Sequence, residues 1–444
     1  MNSPPRAAES VPPGGKVRRR EVFGYCMFDF ANSSYTTLIS TVAYSVYFRQ
    51  VVVGAGNANG DMLWSVASAL AHVVLILTSP VLGALADHSG RKKGFLFMTT
   101  VQTVGACALL FFVQPGAVAL GMLLFVVGTV GFEGGYVFYN AFLPEVSPPR
   151  TIGRISGWSW GTGFIGGLLA LAACLPLLRH PLLPEPGAPP DPAAVFNYRL
   201  SFLVVAGFFA LFSVPTFLVL KERGARASLG SWKEFAAAGV RRVATTLGRL
   251  RGYRETVKFV VAGLFFYGGI ETVIKFSAIY AAVTFGIQGE QLLLLFIFAN
   301  LVAVPGTLAA GYVADWIGGR RALILSLLLW FGLVCLGALV TTQWAFWMLT
   351  AGIAIGMGST QAIGRSFMAE ISPPSRESEF FGFYLLCNKV GSILGLLVFG
   401  GVSSATGSQR AAVLATLPFF AVGLGLMIWI DEKRARRAAA GPEG

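Results

Sequence analysis

Charge is scarce in this sequence. Asp, Glu, Lys and Arg make up only 12% of the 444 residues, against 55% apolar residues. A soluble domain draws about a quarter of its residues from those four types, so a water-facing fold of this length is excluded. Histidine is scarcer still, with three residues in the whole chain, and none sits in a pattern that would hold zinc or activate a nucleophile. A membrane enzyme therefore has no visible chemistry here, and neither a metal nor any other cofactor is expected. The pattern GxxxxGK[ST] is absent, which removes nucleotide hydrolysis on this chain as an energy source. The five cysteines (Cys26, Cys107, Cys174, Cys335, Cys387) form no CxxC pair and all fall in apolar stretches, as small packing residues do.

What the chain has is length of apolar run. A bilayer core of roughly 30 Å needs about 20 apolar residues in helix, and lipid-exposed backbone must bond to itself. Twelve such runs are expected to span a membrane, over 23–49, 63–86, 94–113, 117–142, 155–177, 199–220, 257–285, 291–314, 322–341, 344–367, 379–402 and 410–430. Basic residues in short loops stay on the cytoplasmic side. With both termini inside, all but seven of the 34 Lys and Arg fall in the tails and cytoplasmic loops; Arg49, Arg179, Arg199 and Arg410 lie outside and Lys275, Arg365 and Lys389 within spans. This distribution follows topology rather than one binding face, so the pI near 9.8 carries no nucleic-acid reading. The expectation is a multi-pass protein of the cell (inner) membrane, a monomer, with both termini cytoplasmic. Arg18, Arg19 and Arg20 precede the first run, which continues to about Phe48 and carries Asp29; it is a span, not a cleaved leader.

The pentapeptide EVSPP at Glu145–Pro149 returns as EISPP at Glu370–Pro374, 225 residues later. Around it, FLPEVSPPRTIGRISGW (Phe142–Trp158) aligns with FMAEISPPSRESEFFGF (Phe367–Phe383). A second pair agrees: GALADHSGRKK (Gly83–Lys93) matches GYVADWIGGRR (Gly311–Arg321) at an offset of 228. These are loops 4/5 and 10/11, and loops 2/3 and 8/9, each at the same place in a six-helix half. The fold expected is an all-α integral membrane protein of two parallel six-helix repeats. Its divisions are a disordered basic cytoplasmic tail over 1–22, one bundle over 23–220, a linker over 221–256, a second bundle over 257–430 and a tail over 431–444. In the linker Trp232, Phe235, Val240, Val243, Leu247 and Leu250 recur near helical spacing among Lys and Arg. That is an amphipathic helix suited to anionic lipid headgroups or to packing beneath the bundles.

A charge at the bilayer centre costs roughly 2.5–3.5 kcal/mol even on the lenient insertion scale, so intramembrane charges mark function or a structural pair. Six qualify: Asp29 in span 1, Glu133 in span 4, Glu271 and Lys275 in span 7, Arg365 near the inner end of span 10 and Lys389 in span 11. Glu271 and Lys275, at i and i+4, can pair locally, and Arg365 can reach the cytosol by snorkelling. Asn32 and Tyr35 follow Asp29, Tyr136 and Asn140 follow Glu133, and Trp160 begins span 5. Together these supply donors, acceptors and aromatic walls for a small solute.

The residues also carry a family resemblance. GALADHSGRKK after the second span, with its degenerate copy after the eighth, resembles the signature loop of the major facilitator superfamily. DFANSSY, VFYNAFLPE, GRISGWSWGTGFIGGLLAL, QAIGRSFMAEISPP and EFFGFYLLCNK are similar to the bacterial relatives of the yeast vacuolar amino-acid effluxer involved in autophagy. One departure is the seventh span, YGGIET, which has Gly268 where relatives carry an acid; the acid here is Glu271. The resemblance implies gating at Asp87, beside Arg91, which would face the N-terminal end of span 11 near Ser378, and at Asp315, which would face span 5. Arg365 is grouped with these gating residues.

The function expected is secondary transport by alternating access, coupled to protons or another ion. The solute is a small polar molecule, an amino acid whose carboxylate meets Lys389 and whose ammonium meets Asp29 or Glu271, moved by export. Efflux of drugs or organic cations and a lipid flippase on the same fold are the alternatives. Asp29, ahead of Glu271, is the expected proton carrier.

Overall fold

Apolar runs of this length leave the backbone no partner but itself, and the chain answers with helix throughout. The computed structural model describes residues 18–54, 60–180, 182–183, 189–223, 241, 243–245, 250–287, 289–374 and 376–440. The expected linker helix falls mostly outside the described residues, as does the tail up to Val17. The first half of the chain (residues 18–223) holds α1 (Arg19–Ser34), α2 (Gly60–Ser89), α3 (Lys92–Leu109), α4 (Val118–Asn140), α5 (Ile152–Leu178) and α6 (Pro192–Val219). The second half (residues 250–440) holds α7 (Arg254–Phe285), α8 (Gly289–Ile317), α9 (Gly319–Leu339), α10 (Gln343–Ile371), α11 (Glu377–Thr406), α12 (Leu417–Ile428) and the short α13 (Glu432–Ala440).

Among the described residues, ten helices are long and apolar enough to cross a membrane. The expected spans 23–49 and 344–367 are helical but fall outside that ten. The first is broken into pieces, because α1 passes into π-helical turns at Tyr35–Val42 and Phe48–Val52. The second, α10, is diluted by Ser359, Thr360, Gln361 and Arg365. A further correction concerns the tail given as 1–22: residues from Arg19 onward are helical, and Glu21 and Val22 are buried. Glu21 sits in the first turn, where a carboxylate complements the helix dipole, and it pairs with Arg18 at 3.2 Å and Arg223 at 2.5 Å.

Helix ends follow local chemistry. Asp191 caps α6 by accepting from the Ala193 N–H at 3.1 Å, with Pro192 at the first helical position, the arrangement in which a missing N–H costs nothing. Gly407 closes α11 with φ +64°, a left-handed conformation that glycine adopts freely. The EVSPP and EISPP repeats each end a helix, after Val146 and Ile371, with Ser147 and Ser372 extended before proline; the residue before proline avoids the helical region.

The first residues of α1, the end of α12 and all of α13 lie at one end of the molecule, termed the tail end. There the two halves meet along α2 against α11 and α5 against α8. Glycine sets the approach. A Cβ on Gly83 would stand 2.2 Å from the Ser378 carbonyl oxygen, and one on Gly382 would stand 2.6 Å from that of Ser79. Ser79 Oγ donates to the Gly382 carbonyl at 3.1 Å across this seam. The α5–α8 seam repeats the device, with a Gly311 Cβ placed 2.6 Å from the Gly153 carbonyl oxygen. Helices in lipid gain nothing from excluding water from one another, so close backbone packing through small residues holds them.

This seam predicts the effect of bulk. Gly382→Val forces α2 and α11 apart and costs about 1–3 kcal/mol, read as a lower midpoint of thermal denaturation in detergent. Gly207→Val, where an added Cβ meets nothing within 4 Å, leaves the midpoint nearly unchanged.

Candidate functional site

Above the seam the halves separate around a cavity of about 440 Å³, within the range that holds a small molecule. Its walls come from both halves: Ser33, Thr36, Glu133, Tyr136 and Trp160 from the first, Glu271, Asn300, Gln361 and Lys389 from the second. The remainder is apolar, with Phe132, Phe164, Phe276 and Phe296 among aliphatic side chains. Lys389 Nζ meets Glu133 Oε1 at 2.5 Å, an ion pair that joins α11 to α4 across the cavity. Glu271 adds a second carboxylate to the wall. Lys275, one turn further along α7, is exposed, and among the described ion pairs it does not join Glu271 as the i, i+4 spacing allows.

Tyr136 and Trp160 form part of the floor. Their rings lie 9° from parallel with centroids 6.2 Å apart, and the Tyr136 hydroxyl donates to Asn32 Oδ1 at 3.2 Å. Beneath them Arg365 crosses from α10 into the first half. Its Nη1 donates to Asp29 Oδ2 at 2.8 Å, its Nε to Ser156 Oγ at 2.9 Å and its Nη2 to the Ser156 carbonyl at 2.7 Å. Tyr25, Tyr139 and Trp160 hold their rings 5.4–5.7 Å from the guanidinium carbon, close enough for cation–π attraction. Asp29 has a second donor in Ser159 Oγ at 2.6 Å, itself hydrogen-bonded to Tyr139.

A second cluster lies at the tail end. Lys92 Nζ stands 2.8 Å from Glu377 Oε2, 3.1 Å from Glu145 Oε1 and 3.8 Å from Asp87 Oδ1, with all four side chains buried. Asp87 accepts from the backbone N–H groups of Ser378 at 3.2 Å and Glu379 at 2.8 Å, at the start of α11. Asp315 does the same at the start of α5, accepting from Gly153 N at 2.8 Å and Arg154 N at 3.2 Å, with Arg154 Nε at 2.9 Å. A helix N-terminus presents free N–H groups and partial positive charge, so each aspartate ties one half to the other. Burial pushes the Glu145 carboxyl above its usual range, while the Lys92 cation opposes the shift.

Several expected site residues occupy other places. Tyr35 does not reach the cavity: its hydroxyl bonds Thr129 at 3.1 Å and its ring stacks on Phe132 inside the first half. Asn140 ends α4 away from the cavity wall, and its Oδ1 is buried without a hydrogen-bond partner. Asp29 and Asn32 lie under the floor rather than on the wall, each 1% exposed. Arg365 does not snorkel; at 3% exposure it points inward, because the first half supplies a carboxylate and two oxygens of Ser156 where a path to water would supply only solvent. Arg91 is exposed, and the neighbouring Lys92 holds the carboxylates instead.

Lys92, Glu145, Glu377, Ser156, Ser159 and Gln361 were not anticipated. Glu145 had a signal in the repeated EVSPP, and Lys92 one in GRKK. A helix face decides between Arg91 and Lys92, and a loop gives no period from which to read it.

A profile of the family described as "Vacuole effluxer Atg22 like" matches residues 62–440. The MFS-type transporter YxiO of Bacillus subtilis (strain 168) is 27% identical, over 92% of this chain and 94% of its own. Autophagy-related protein 22-1 of Penicillium rubens is 22% identical, over 84% of this chain and 75% of its own. The crystal structure of the MFS transporter FucP in the outward conformation superposes with a TM-score of 0.70 at 14% identity, covering 92% of this chain and 98% of FucP. That likeness establishes the major facilitator fold and, by itself, nothing of the solute.

The cluster geometry separates two neighbouring cations. Lys92→Gln leaves three buried carboxylates without their cation and costs about 3–5 kcal/mol. Arg91→Gln, at the exposed neighbour, stays within about 0.5 kcal/mol of the unaltered protein. Thermal denaturation of the two variants side by side reads the difference, and equal stabilities would contradict the assignment.

Proposed function

The chain belongs to the Atg22-like effluxer family of major facilitator transporters, and from that premise we propose that it carries amino acids by alternating access, coupled to protons. One observation carries the substrate reading. The cavity between the halves has carboxylates and an ammonium on facing walls, with Lys389 and Glu133 in contact across it and Glu271 beside them. An empty cavity keeps its charges paired with each other. A zwitterion can divide them, its carboxylate taking Lys389 and its ammonium taking Glu133 or Glu271, so both protein charges stay neutralised when the solute is bound. A simple cation would use only Glu271 and leave the Glu133–Lys389 pair without a role, and a lipid tail would use none of the three charges. The apolar wall, aliphatic and aromatic together, suits a solute with an apolar side chain.

Twelve crossings are part of the proposal, in two six-helix bundles over 23–220 and 257–430, with both termini cytoplasmic in the inner membrane and the protein acting as a monomer. In that orientation the tail end is cytoplasmic and closed, and the cavity faces outward. Asp87 and Asp315 are the gating carboxylates, each on the N-terminus of a helix of the other half, an attraction of roughly 0.3–2 kcal/mol apiece. Export is the direction supported by the family's description as effluxers. Asp29 is the coupling acid: a carboxylate within α1, it pairs with Arg365 of the other half in this state and parts from that cation when the tail end opens.

Counterflow in proteoliposomes tests the reading. Purified protein should exchange labelled amino acid for the same amino acid trapped inside, across a panel of the proteinogenic set, and Lys389→Ala should abolish that exchange. Asp29→Asn should retain exchange yet fail to accumulate solute under an imposed pH gradient. Exchange of no amino acid sinks the substrate reading, and normal accumulation by Asp29→Asn removes the coupling assignment.

A further inference from the structure

Arg365 belongs to the second half, yet every hydrogen bond described for it ends in the first. Asp29 Oδ2, Ser156 Oγ and the Ser156 carbonyl accept its three N–H donations, and the rings of Tyr25, Tyr139 and Trp160 around it also belong to the first half. If the halves part at the tail end, Arg365 is carried away from all of them. Asp29 is not left in the same position, because Ser159 on its own half still donates to it at 2.6 Å. A guanidinium does not shed its charge, so Arg365 enters the newly opened space as a cation without its carboxylate.

The second half retains the groups that would complete an anion site there. Tyr267 and Tyr384 face α10 beside Arg365: their hydroxyls are joined at 2.7 Å, and a Cβ on Gly364 would stand 2.3 Å and 2.8 Å from them. The Tyr384 hydroxyl donates to that of Tyr267, which donates on to the Thr360 carbonyl at a long 3.4 Å; a carboxylate is the stronger acceptor and would take that last proton, while the guanidinium fork binds it through two parallel N–H groups. Glu271 follows Tyr267 by four residues of α7 and lines the cavity, about 6 Å further along the helix axis. Gln361, one turn above Arg365 on α10, also lines it. Arg365 and Glu271 therefore stand in the order in which an α-amino acid presents its carboxylate and its ammonium.

We propose that Arg365 is the carboxylate-binding residue of the state open at the tail end, where the solute's carboxylate replaces Asp29. Lys389 receives that carboxylate in the state described here and Arg365 in the other, so the solute is handed along the second half as the first half rocks away. This rests on the amino-acid reading above. It assigns to Arg365 a role that a latch alone does not have, and the two roles predict opposite results.

The measurement is half-saturation for solute presented at the tail end, in inverted membrane vesicles. The probes are L-phenylalanine, or the amino acid best exchanged in counterflow, and the corresponding amide, which lacks the carboxylate. Asp29→Asn loosens the closed end and keeps Arg365, so it lowers half-saturation by raising the fraction of binding-competent protein. Arg365→Gln loosens the closed end as well but removes the site, and raises half-saturation for the amino acid at least about tenfold, the scale expected when a polar partner is lost. Arg365→Lys keeps the cation and its pair with Asp29 and raises half-saturation by a smaller factor; it is the variant to read should Arg365→Gln not reach the membrane. The amide is a weak competitor for the unaltered protein and no weaker for Arg365→Gln. Half-saturation that falls in Arg365→Gln as it does in Asp29→Asn, or is unchanged in Arg365→Lys, overturns the proposal and leaves Arg365 a latch. Absence of all amino-acid exchange by the unaltered protein overturns instead the reading on which it rests.

Discussion

A charge surrounded by hydrocarbon must find an opposite charge, and in this protein the partners are found across the line between the two halves. Asp29 with Arg365 and Glu133 with Lys389 each join one half to the other. Glu377 reaches Lys92 in the same way, and Asp315 reaches Arg154. Had these charges been paired within each half, the halves would attract each other only through helix packing. Because the pairs are shared, relative motion of the halves is also a change in charge pairing, and anything that supplies a replacement charge biases the motion. On the proposed function, a proton on a carboxylate would do so, and so would a zwitterion between Glu133 and Lys389. A ligand shifts such an equilibrium only through its different affinity for the two arrangements, and shared ion pairs are where that difference arises.

The two copies of the repeat solve the same problem with different residues. Lys92 and Arg320 occupy equivalent places 228 residues apart. Lys92 serves the carboxylates Glu145 and Glu377, whereas Arg320 turns to the carbonyls of Met427 at 3.2 Å and Ile428 at 2.5 Å. Glu370, the counterpart of Glu145, is met instead by Arg436 of α13 at 2.6 Å. The first seam thus draws its cation from its own loop. At the second seam the equivalent carboxylate draws one from the C-terminal helix, which packs Ala435 and Ala439 inward against the second half.

Much of this was legible in the sequence, for reasons that are physical. Long apolar runs report their own helices, and among the described residues ten cross-membrane candidates emerge by length and composition alone. Repeated loops report equivalent positions, so Asp87 and Asp315 stood out before any coordinates. The six intramembrane charges were visible because each violates its surroundings. Their pairing was not. Asp29 and Arg365 are 336 residues apart, and no local period connects them; whether Arg365 turns to solvent or inward depends on Ser156, whose role exists only once α5 and α10 touch. Tyr35 was misjudged for the opposite reason. It lies two residues beyond Ser33, which reaches the cavity, but the passage into π-helical turns at that residue and its bond to Thr129 hold the ring within the first half.

On the proposed function, the aspartates on helix N-termini hold the tail end shut while the far end, where α3 ends and α9 meets α10, leaves the cavity accessible. Spin labels at Arg150 and Trp316, one on each half at the tail end, and at Gln114 and Thr341 at the far end, allow both separations to be measured by pulsed electron paramagnetic resonance. With Asp87 replaced by Asn, the account predicts a new, longer distance population between Arg150 and Trp316 and a shorter one between Gln114 and Thr341. Distance distributions identical to those of the unaltered protein at both ends would contradict it.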